Sequence, residues 1–228
     1  DYHLLTYAPS SVQEAVDIMM FAYDKAEQYR IPVLFIADGI IAQMMEPVEM
    51  PEMVDFKIDP EKKPWACTGW KPGDDPEKRG VINSIYIDTE SLSEHNAVLQ
   101  AMYAEVTKNE QMWENYNCEG AEYIITAFGT VARIAKSAID QLKAEGINVG
   151  LVRPITVWPF PYKAVADAVN ADGVKAVLDV ELNEGQMLED VKIAVNGAKP
   201  IDFFGHCGSQ MPTTDEIVAK IKSMKEGK

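Results

Sequence analysis

From Glu119 onward, apolar runs alternate regularly with stretches of helical spacing. The apolar runs predict four strands, at Tyr123–Phe128, Ile147–Val152, Val174–Val180 and Ile201–Phe204. Helical patterns follow each of them and predict helices at Val131–Ala144, Tyr162–Asn170, Gln186–Val195 and Asp215–Met224, the last after a capping box at Thr213–Glu216. Strands that feed helices are typical of a parallel sheet, so residues 119–228 are predicted to form a four-stranded parallel α/β domain.

The first 46 residues predict a separate βαβ unit. Leu4–Tyr7 and the apolar run Ile31–Ala37 predict strands, and a helix between them begins at Ser11-Val-Gln-Glu14, which fits a capping box. Two strands and one helix are too few for an α/β domain. We therefore expect residues 1–46 to be the end of a larger domain.

Residues 47–118 have a different character. Proline recurs through the first part, which predicts an irregular linker arm with a short strand at Val81–Ile87. Trp65 and Trp70 either pack onto the arm's own protein or dock on another subunit. Ser93–Asn117 is predicted to be one long amphipathic helix, with Trp113 and Tyr116 on its apolar face.

Composition excludes several functional classes. The chain has 228 residues and a formal net charge of −15, which argues against nucleic acid and anionic membranes as partners. Its three cysteines are far apart and form no CxxC pair, which argues against a zinc or iron–sulfur site in this chain. Neither a membrane-spanning run nor a signal peptide is evident, so a cytoplasmic location is expected.

The loops that follow the four predicted parallel strands are expected to gather at one edge of the sheet. They are Gly129-Thr130, Arg153–Thr156, Glu181–Gln186 and Gly205–Ser209. Helix N-termini at such an edge suit an anion, to which Arg153 could add a guanidinium fork. Alternatively, the glycines simply permit tight turns. The absence of GxGxxG and P-loop motifs favours this second interpretation for phosphate binding.

Individual residues at this edge leave alternatives open. Glu181 and Glu184 could act as acid–base carboxylates or as loop anchors that accept backbone N–H groups. His206 and Cys207 are adjacent, and neighbouring side chains on an extended chain point apart, so a catalytic pair is not predicted. Cys207 is expected to be a small buried side chain, and His206 a polar contact at a subunit junction. The stretch Trp158-Pro-Phe-Pro161 is either a packed loop or a contact surface.

Several segments, in order along the chain, resemble the α subunit of 2-oxoacid:ferredoxin oxidoreductases. They are APSSVQEAVDIMMFAYDKAEQYRIPVLFIADGIIAQMMEPVE, KPWACTG, NSIYIDTESLSEHN, AFGTVARIAKSAI, VGLVRPITVWPFP, LNEGQM and FGHCGSQMPT. The arm is most similar to the branched-chain (2-ketoisovalerate) type, and the 2-oxoglutarate type is the nearest competitor.

The resemblance implies a fold and an activity. Residues 1–46 would be the C-terminal remnant of a thiamine-enzyme pyrimidine-binding domain, residues 47–118 a linker arm with a long helix, and residues 119–228 a transketolase C-terminal-like domain. Members of this family convert a 2-oxoacid and coenzyme A to an acyl-coenzyme A and carbon dioxide, and reduce ferredoxin. Thiamine diphosphate and [4Fe-4S] clusters carry that chemistry in the full complex. The implied partners are a pyrophosphate-domain β subunit, a γ subunit, a ferredoxin-like δ subunit and ferredoxin.

The chain also departs from the family pattern. The family's first segment and its activating glutamate have no counterpart in these residues, which begin at Asp1. We therefore expect a C-terminal portion of the subunit that is inactive alone and binds no cofactor alone. No catalytic residue or metal ligand is assigned, and the candidates for a cofactor-adjacent cleft are Asn183, Gly185, Gln186, His206 and Gly208. The alternative function is a non-catalytic α/β interaction or oligomerisation module.

Overall fold

The computed structural model describes residues 3–53, 62–67, 69–208 and 210–227. The chain divides into two compact units: Pro51–Met102, and a larger unit formed by Asp1–Met50 together with Tyr103–Lys228. No described helix is long and apolar enough to cross a membrane.

The larger unit begins with a small three-stranded sheet. β1 (Leu5–Tyr7) is followed by α1 (Val12–Tyr29), β2 (Val33–Phe35) and α2 (Gly39–Gln43). β1 and β2 pair in parallel, which confirms the predicted βαβ unit. The third strand, β6 (Thr156–Trp158), comes from the second half of the chain and pairs antiparallel with β1. Sequence analysis predicted no strand there; the segment is too short to show a period, and its pairing spans about 150 residues of chain.

A five-stranded sheet forms the body of the larger unit. Its strands are β3 (Trp113–Tyr116), β4 (Tyr123–Thr126), β5 (Val149–Pro154), β7 (Ala176–Glu181) and β8 (Ile201–Gly205), in the order β3-β5-β4-β7-β8. β5, β4, β7 and β8 are parallel, which confirms the predicted α/β class and the four predicted strands within two residues at most ends. β3 is an additional antiparallel edge strand.

Helices cover both faces of this sheet. The helices are α4 (Gly129–Ala144), α5 (Tyr162–Val169), α6 (Gln186–Val195) and α7 (Thr214–Glu226). One face packs against α4 and α7 through residues such as Ile139 and Ile221, and the other packs against α5 and α6 through residues such as Val165 and Val191. Burial of both faces explains why these strands read as continuous apolar runs.

The predicted long helix is wrong at its C-terminal end. α3 spans Thr89–Asn109, and Trp113 and Tyr116 lie in β3 instead. β3 pairs antiparallel with β5, Trp113 opposite Pro154 and Tyr116 opposite Leu151. Aromatic residues three positions apart share one face of a helix but lie on opposite faces of a strand, so the pattern alone favoured the helix.

The smaller unit contains a 3-10 helix at Pro76–Lys78 and the first part of α3. The predicted strand at Val81–Ile87 is wrong, because the described chain there has no ladder partner. Trp70 packs within its own segment: its indole N–H donates to Asp75 O at 3.3 Å, and the Arg79 guanidinium lies 5.1 Å from the ring centre.

The two predicted capping boxes differ in outcome. The box at Thr213 is confirmed, with reciprocal bonds between Thr213 and Glu216. At the start of α1, Ser11 Oγ accepts the Glu14 N–H at 3.1 Å, but the Glu14 carboxylate accepts the N–H of Ser10 and not that of Ser11. The reason is the second partner of Glu14, Arg153, which holds the carboxylate to one side.

Candidate functional site

A cleft of about 260 Å³ lies where the carboxyl ends of both sheets meet. The loops after β1, β2, β4 and β7 supply its walls, which is where open α/β sheets bind ligands. Its lining residues are Ala8, Pro9, Ile36, Ala37, Asp38, Phe128, Gly129, Val131, Glu181, Leu182, Asn183 and Gln186. Most of this surface is apolar, and its charged side chains are carboxylates.

Asp38 occupies the N-terminus of α4. Its carboxylate accepts the N–H groups of Ile40 and Ile41, both at 3.0 Å, and that of Thr130 at 3.3 Å. Burial alone would raise the pKa of Asp38, but these hydrogen bonds from Thr130, Ile41 and Ile40 outweigh burial and lower it. The carboxylate therefore serves two helix N-termini, α2 and α4. The helix N-terminus at Gly129-Thr130, considered above as an anion site, thus binds a side chain of the protein itself.

Glu181 and Asn183 occupy the N-terminus of α6 in the same way. Glu181, 1% exposed, accepts the N–H groups of Met187 and Leu188 at 2.9 Å and the Asn183 amide at 2.8 Å. Asn183 Oδ1 accepts the N–H groups of Gly185 and Gln186, both at 2.8 Å. Of the two alternatives for Glu181, the geometry supports the loop anchor.

Asp179 is a buried acid that sequence analysis did not single out. It is fully buried in β7, and its Oδ1 accepts the Thr126 hydroxyl at 2.6 Å. Burial, followed by the neighbouring Glu181 carboxylate, raises the pKa of Asp179 to about 9, so it keeps its proton at neutral pH. The available signal was the Asp-Val-Glu pattern, because residues two apart lie on the same face of a strand.

The five predicted site residues fall into two groups. Asn183 and Gln186 line the cleft, and Gly185, at φ 97°, makes the left-handed turn that begins α6. His206 and Gly208 follow β8 and are not among the lining residues. His206 contacts the cleft loop through its backbone, whose N–H donates to Glu181 O at 3.2 Å, while its ring lies against Phe204.

Two side chains at this edge differ from expectation. Cys207 is exposed, so the prediction of a buried side chain is wrong. Hydrogen bonding to Glu184, more than burial, raises the pKa of its thiol. The other is Arg153, which is buried and bound to Glu14 and Glu114, so it offers no fork to an anion. The outcome for Arg153 depends on residues from other segments, which local sequence does not show.

The described residues offer no group of metal ligands. Within ranges 3–53, 62–67, 69–208 and 210–227, no three His, Cys, Asp or Glu side chains form a group that could hold a metal ion. Nor does a lysine, arginine or histidine belong to the described lining of the cleft. The diphosphate of a thiamine cofactor carries negative charge, and it does not fit a cleft with carboxylates and occupied helix N-termini.

Two family models match this chain. Residues 1–115 match the model described as pyruvate flavodoxin/ferredoxin oxidoreductase, thiamine diphosphate-binding. Residues 121–217 match pyruvate:ferredoxin oxidoreductase core domain II.

Similar curated proteins are subunits of oxidoreductases or synthases. Ketoisovalerate oxidoreductase subunit VorB of Methanothermobacter marburgensis is 37% identical, over 98% of this chain and 61% of its own length. 2-Oxoglutarate synthase subunit KorA of Methanocaldococcus jannaschii is 30% identical, over 95% of this chain and 63% of its own length. The chain thus spans about three fifths of the length of these relatives.

A similar solved structure is 2-oxoglutarate:ferredoxin oxidoreductase from Magnetococcus marinus. It superposes with a TM-score of 0.67 at 18% sequence identity and covers 96% of this chain and 42% of its own. At this identity the likeness concerns the fold.

Proposed function

Because the chain belongs to the pyruvate flavodoxin/ferredoxin oxidoreductase family, we propose that it is part of a thiamine diphosphate-dependent 2-oxoacid:ferredoxin oxidoreductase. The reaction is the oxidative decarboxylation of a branched-chain 2-oxoacid with coenzyme A to acyl-coenzyme A, carbon dioxide and reduced ferredoxin. The observation that carries this proposal is the match of residues 1–115 to a thiamine diphosphate-binding family model. The branched-chain substrate is favoured over 2-oxoglutarate by the higher identity to the ketoisovalerate relative.

The domain assignment extends this proposal. Residues 1–46 are the C-terminal part of a pyrimidine-binding domain, residues 47–118 are the arm and long helix, and residues 119–228 are the transketolase C-terminal-like domain. The two model matches, which meet between residues 115 and 121, support a boundary close to 118.

The electrostatics of the cleft support a shared site. The acidic side chains of Asp38 and Glu181 already occupy the N-termini of α4 and α6. We infer that basic groups elsewhere in the complex bind the cofactor diphosphate and the substrate carboxylate. This chain contributes the loop Glu181–Gln186, with Asn183 and Gln186 facing the cleft, while Gly185, His206 and Gly208 shape the loops behind it.

The proposed partners are those that the resemblance to the family implies. Electrons must leave through redox groups, and the described residues hold no cluster of metal ligands. We propose that [4Fe-4S] clusters reside on a ferredoxin-like δ subunit or another chain, and that β and γ subunits complete the complex in the cytoplasm.

The test is viologen reduction by the chain assembled with its other subunits. With coenzyme A present, we expect turnover of 3-methyl-2-oxobutanoate at a higher kcat/KM than 2-oxoglutarate. Absence of turnover with every 2-oxoacid would refute the proposal and favour a non-catalytic interaction module.

A loop variant tests the role of the cleft in the same assay. Asn183→Ala removes the acceptor of two N–H groups, so we expect the loop to shift and kcat/KM to fall by about tenfold. Asn170→Ala, at the C-terminal end of α5, is the matched control and leaves kcat/KM unchanged. Equal activity of both variants would contradict a role for this loop.

A further inference from the structure

Val81–Ile87, here termed the 81–87 segment, has the composition of a strand but forms none. It reads VINSIYI, rich in β-branched residues. In the structure it is irregular and lies in the smaller unit. Its aliphatic side chains are largely exposed: Val81 69%, Ile82 65%, Ile85 68% and Ile87 90%. Four neighbouring aliphatic side chains exposed to this degree indicate a contact surface.

The backbone of the 81–87 segment is equally open. Within the described part of the chain, its backbone hydrogen bonds are the two that join the Asn83 side chain to Ile85, at 2.8 and 3.1 Å. The remaining N–H and C=O groups have no ladder partner there. A segment of strand-forming residues with unpaired backbone groups and apolar side chains can pair with another strand.

We propose that the 81–87 segment pairs antiparallel with the same segment of a second copy of this chain, with Ser84 on the two-fold axis. A two-fold axis through Ser84 places Val81 opposite Ile87 and Ile82 opposite Tyr86. Ile82 and Tyr86 form a β-branched–aromatic pair of the kind that is favoured across antiparallel strands, and Val81 and Ile87 form an aliphatic pair. Self-complementarity of this kind is what an isologous dimer contact requires.

Charge at the two ends of the segment favours the antiparallel second copy. Arg79 precedes the segment, and Asp88 and Glu90 follow it. Hydrogen bonds from Ser91 lower the pKa of Asp88, so this carboxylate stays charged at neutral pH. Antiparallel pairing brings the basic end of one copy to the acidic end of the other. Parallel pairing would place like charges together, which is unfavourable.

The size of the contact predicts a weak association. Seven paired residues extend for about 23 Å, and a two-stranded ribbon alone is only marginally stable in water. It is also much smaller than a standard interface of about 1,600 Å². We therefore expect a concentration-dependent dimer, which a covalent trap reports more sensitively than chromatography.

Disulfide trapping of the full chain tests this pairing. In a background with the exposed Cys67 and Cys207 replaced by serine, Ser84→Cys places a thiol opposite its own copy, at a Cβ separation of about 5 Å. In the matched control, Ile82→Cys, the introduced thiol would lie about 13 Å from the same thiol of the second copy. After mild oxidation we expect at least about fivefold more covalent dimer from Ser84→Cys than from Ile82→Cys. Adding Arg79→Glu to Ser84→Cys should lower the yield.

Three outcomes would overturn the proposal. One is equal cross-linking at positions 84 and 82. Another is a dimer that is detected by sedimentation but is not cross-linked through Ser84→Cys, although circular dichroism shows that this variant is folded. The third is found in the co-expressed complex, if mass spectrometry shows the thiol introduced by Ser84→Cys joined to a different subunit and not to its own copy.

Discussion

Arg153 joins three parts of the chain that are distant in sequence. Its guanidinium Nη1 and Nη2 donate to both carboxylate oxygens of Glu14 at 2.9 and 2.8 Å, and its Nε donates to Glu114 at 2.8 Å. Arg153 lies in β5, Glu14 in α1 and Glu114 in β3, and the arginine is 4% exposed. This cluster therefore links the small sheet's helix to the large sheet.

We predict that Arg153→Gln destabilises the fold by about 3 kcal/mol. Removing one partner of a buried ion pair costs about 3–5 kcal/mol, because a charge is left without compensation. The carboxylates here are partly exposed, with side-chain values of 22% for Glu14 and 33% for Glu114. Ser10 and Lys136 remain bound to them in the variant, which places the cost at the lower end of that range.

The measurement is urea unfolding followed by circular dichroism at pH 7. Lys163→Gln is the matched control, because Lys163 and Asp167 form an exposed pair with side chains 83% and 63% accessible. Exposed pairs contribute about 0–1 kcal/mol. If Arg153→Gln lowered the free energy of unfolding no more than the control does, the buried cluster would contribute no more than an exposed ion pair.

The stability difference between wild type and Arg153→Gln should also depend on pH. Burial alone would raise the pKa of Glu14 and of Glu114, but hydrogen bonds from Arg153, with Ser10 and Lys136, outweigh it and lower both values. A carboxylate with a lowered folded pKa contributes stability above its unfolded pKa, near 4.5, and loses it as pH falls through the folded pKa. The difference between wild type and Arg153→Gln should therefore shrink below about pH 4. A difference that stays constant from pH 7 to pH 3 would contradict this origin.

Two further variants test strand residues near the cleft, Gly205 in β8 and Asp179 in β7. Gly205→Ala places a Cβ 2.4 Å from Asn183 O, so we expect the free energy of unfolding in urea to fall by about 2 kcal/mol. Gly39→Ala is the control, because the space around Gly39 is open and the variant should match wild type. Equal stability of the two variants would contradict the close packing at Gly205. Asp179→Asn removes an acid whose pKa is raised to about 9 in the folded chain. Because of that raised pKa, the stability of wild type should fall as the pH rises from about 4 to about 9. The stability of Asp179→Asn relative to wild type should therefore increase by at least about 1 kcal/mol between pH 5 and pH 8. If this stability difference were the same at both pH values, Asp179 would be ionised in the folded chain.

Local sequence predicted the regular part of the fold well. The runs from Tyr123 to Met224 alternate because each buried strand feeds a helix, and that pattern needs no distant contact to be recognised. The errors fall where pairing is long-range. β6 becomes a strand only against β1, and β3 only against β5.

Sequence analysis predicted a cleft at the carboxyl edge of the sheet but not that the charged side chains lining it are acidic. The carboxyl edge was expected, and Asn183 and Gln186 do line the cleft there. Its charge was not expected, because Asp38 reaches the N-terminus of α4 from 92 residues earlier in the chain. Arg153 was considered as a ligand-binding fork, but Glu14, 139 residues away, binds it. Such contacts depend on tertiary packing and leave no local pattern.

The most direct test of the shared site is calorimetric titration with thiamine diphosphate and Mg²⁺. Two samples are compared, the chain alone and the chain assembled with the proposed partner subunits. The carboxylate-lined cleft predicts no saturable heat for the chain alone and stoichiometric binding for the assembled complex. Tight stoichiometric binding by the chain alone would contradict the proposal that basic groups of other subunits bind the cofactor diphosphate.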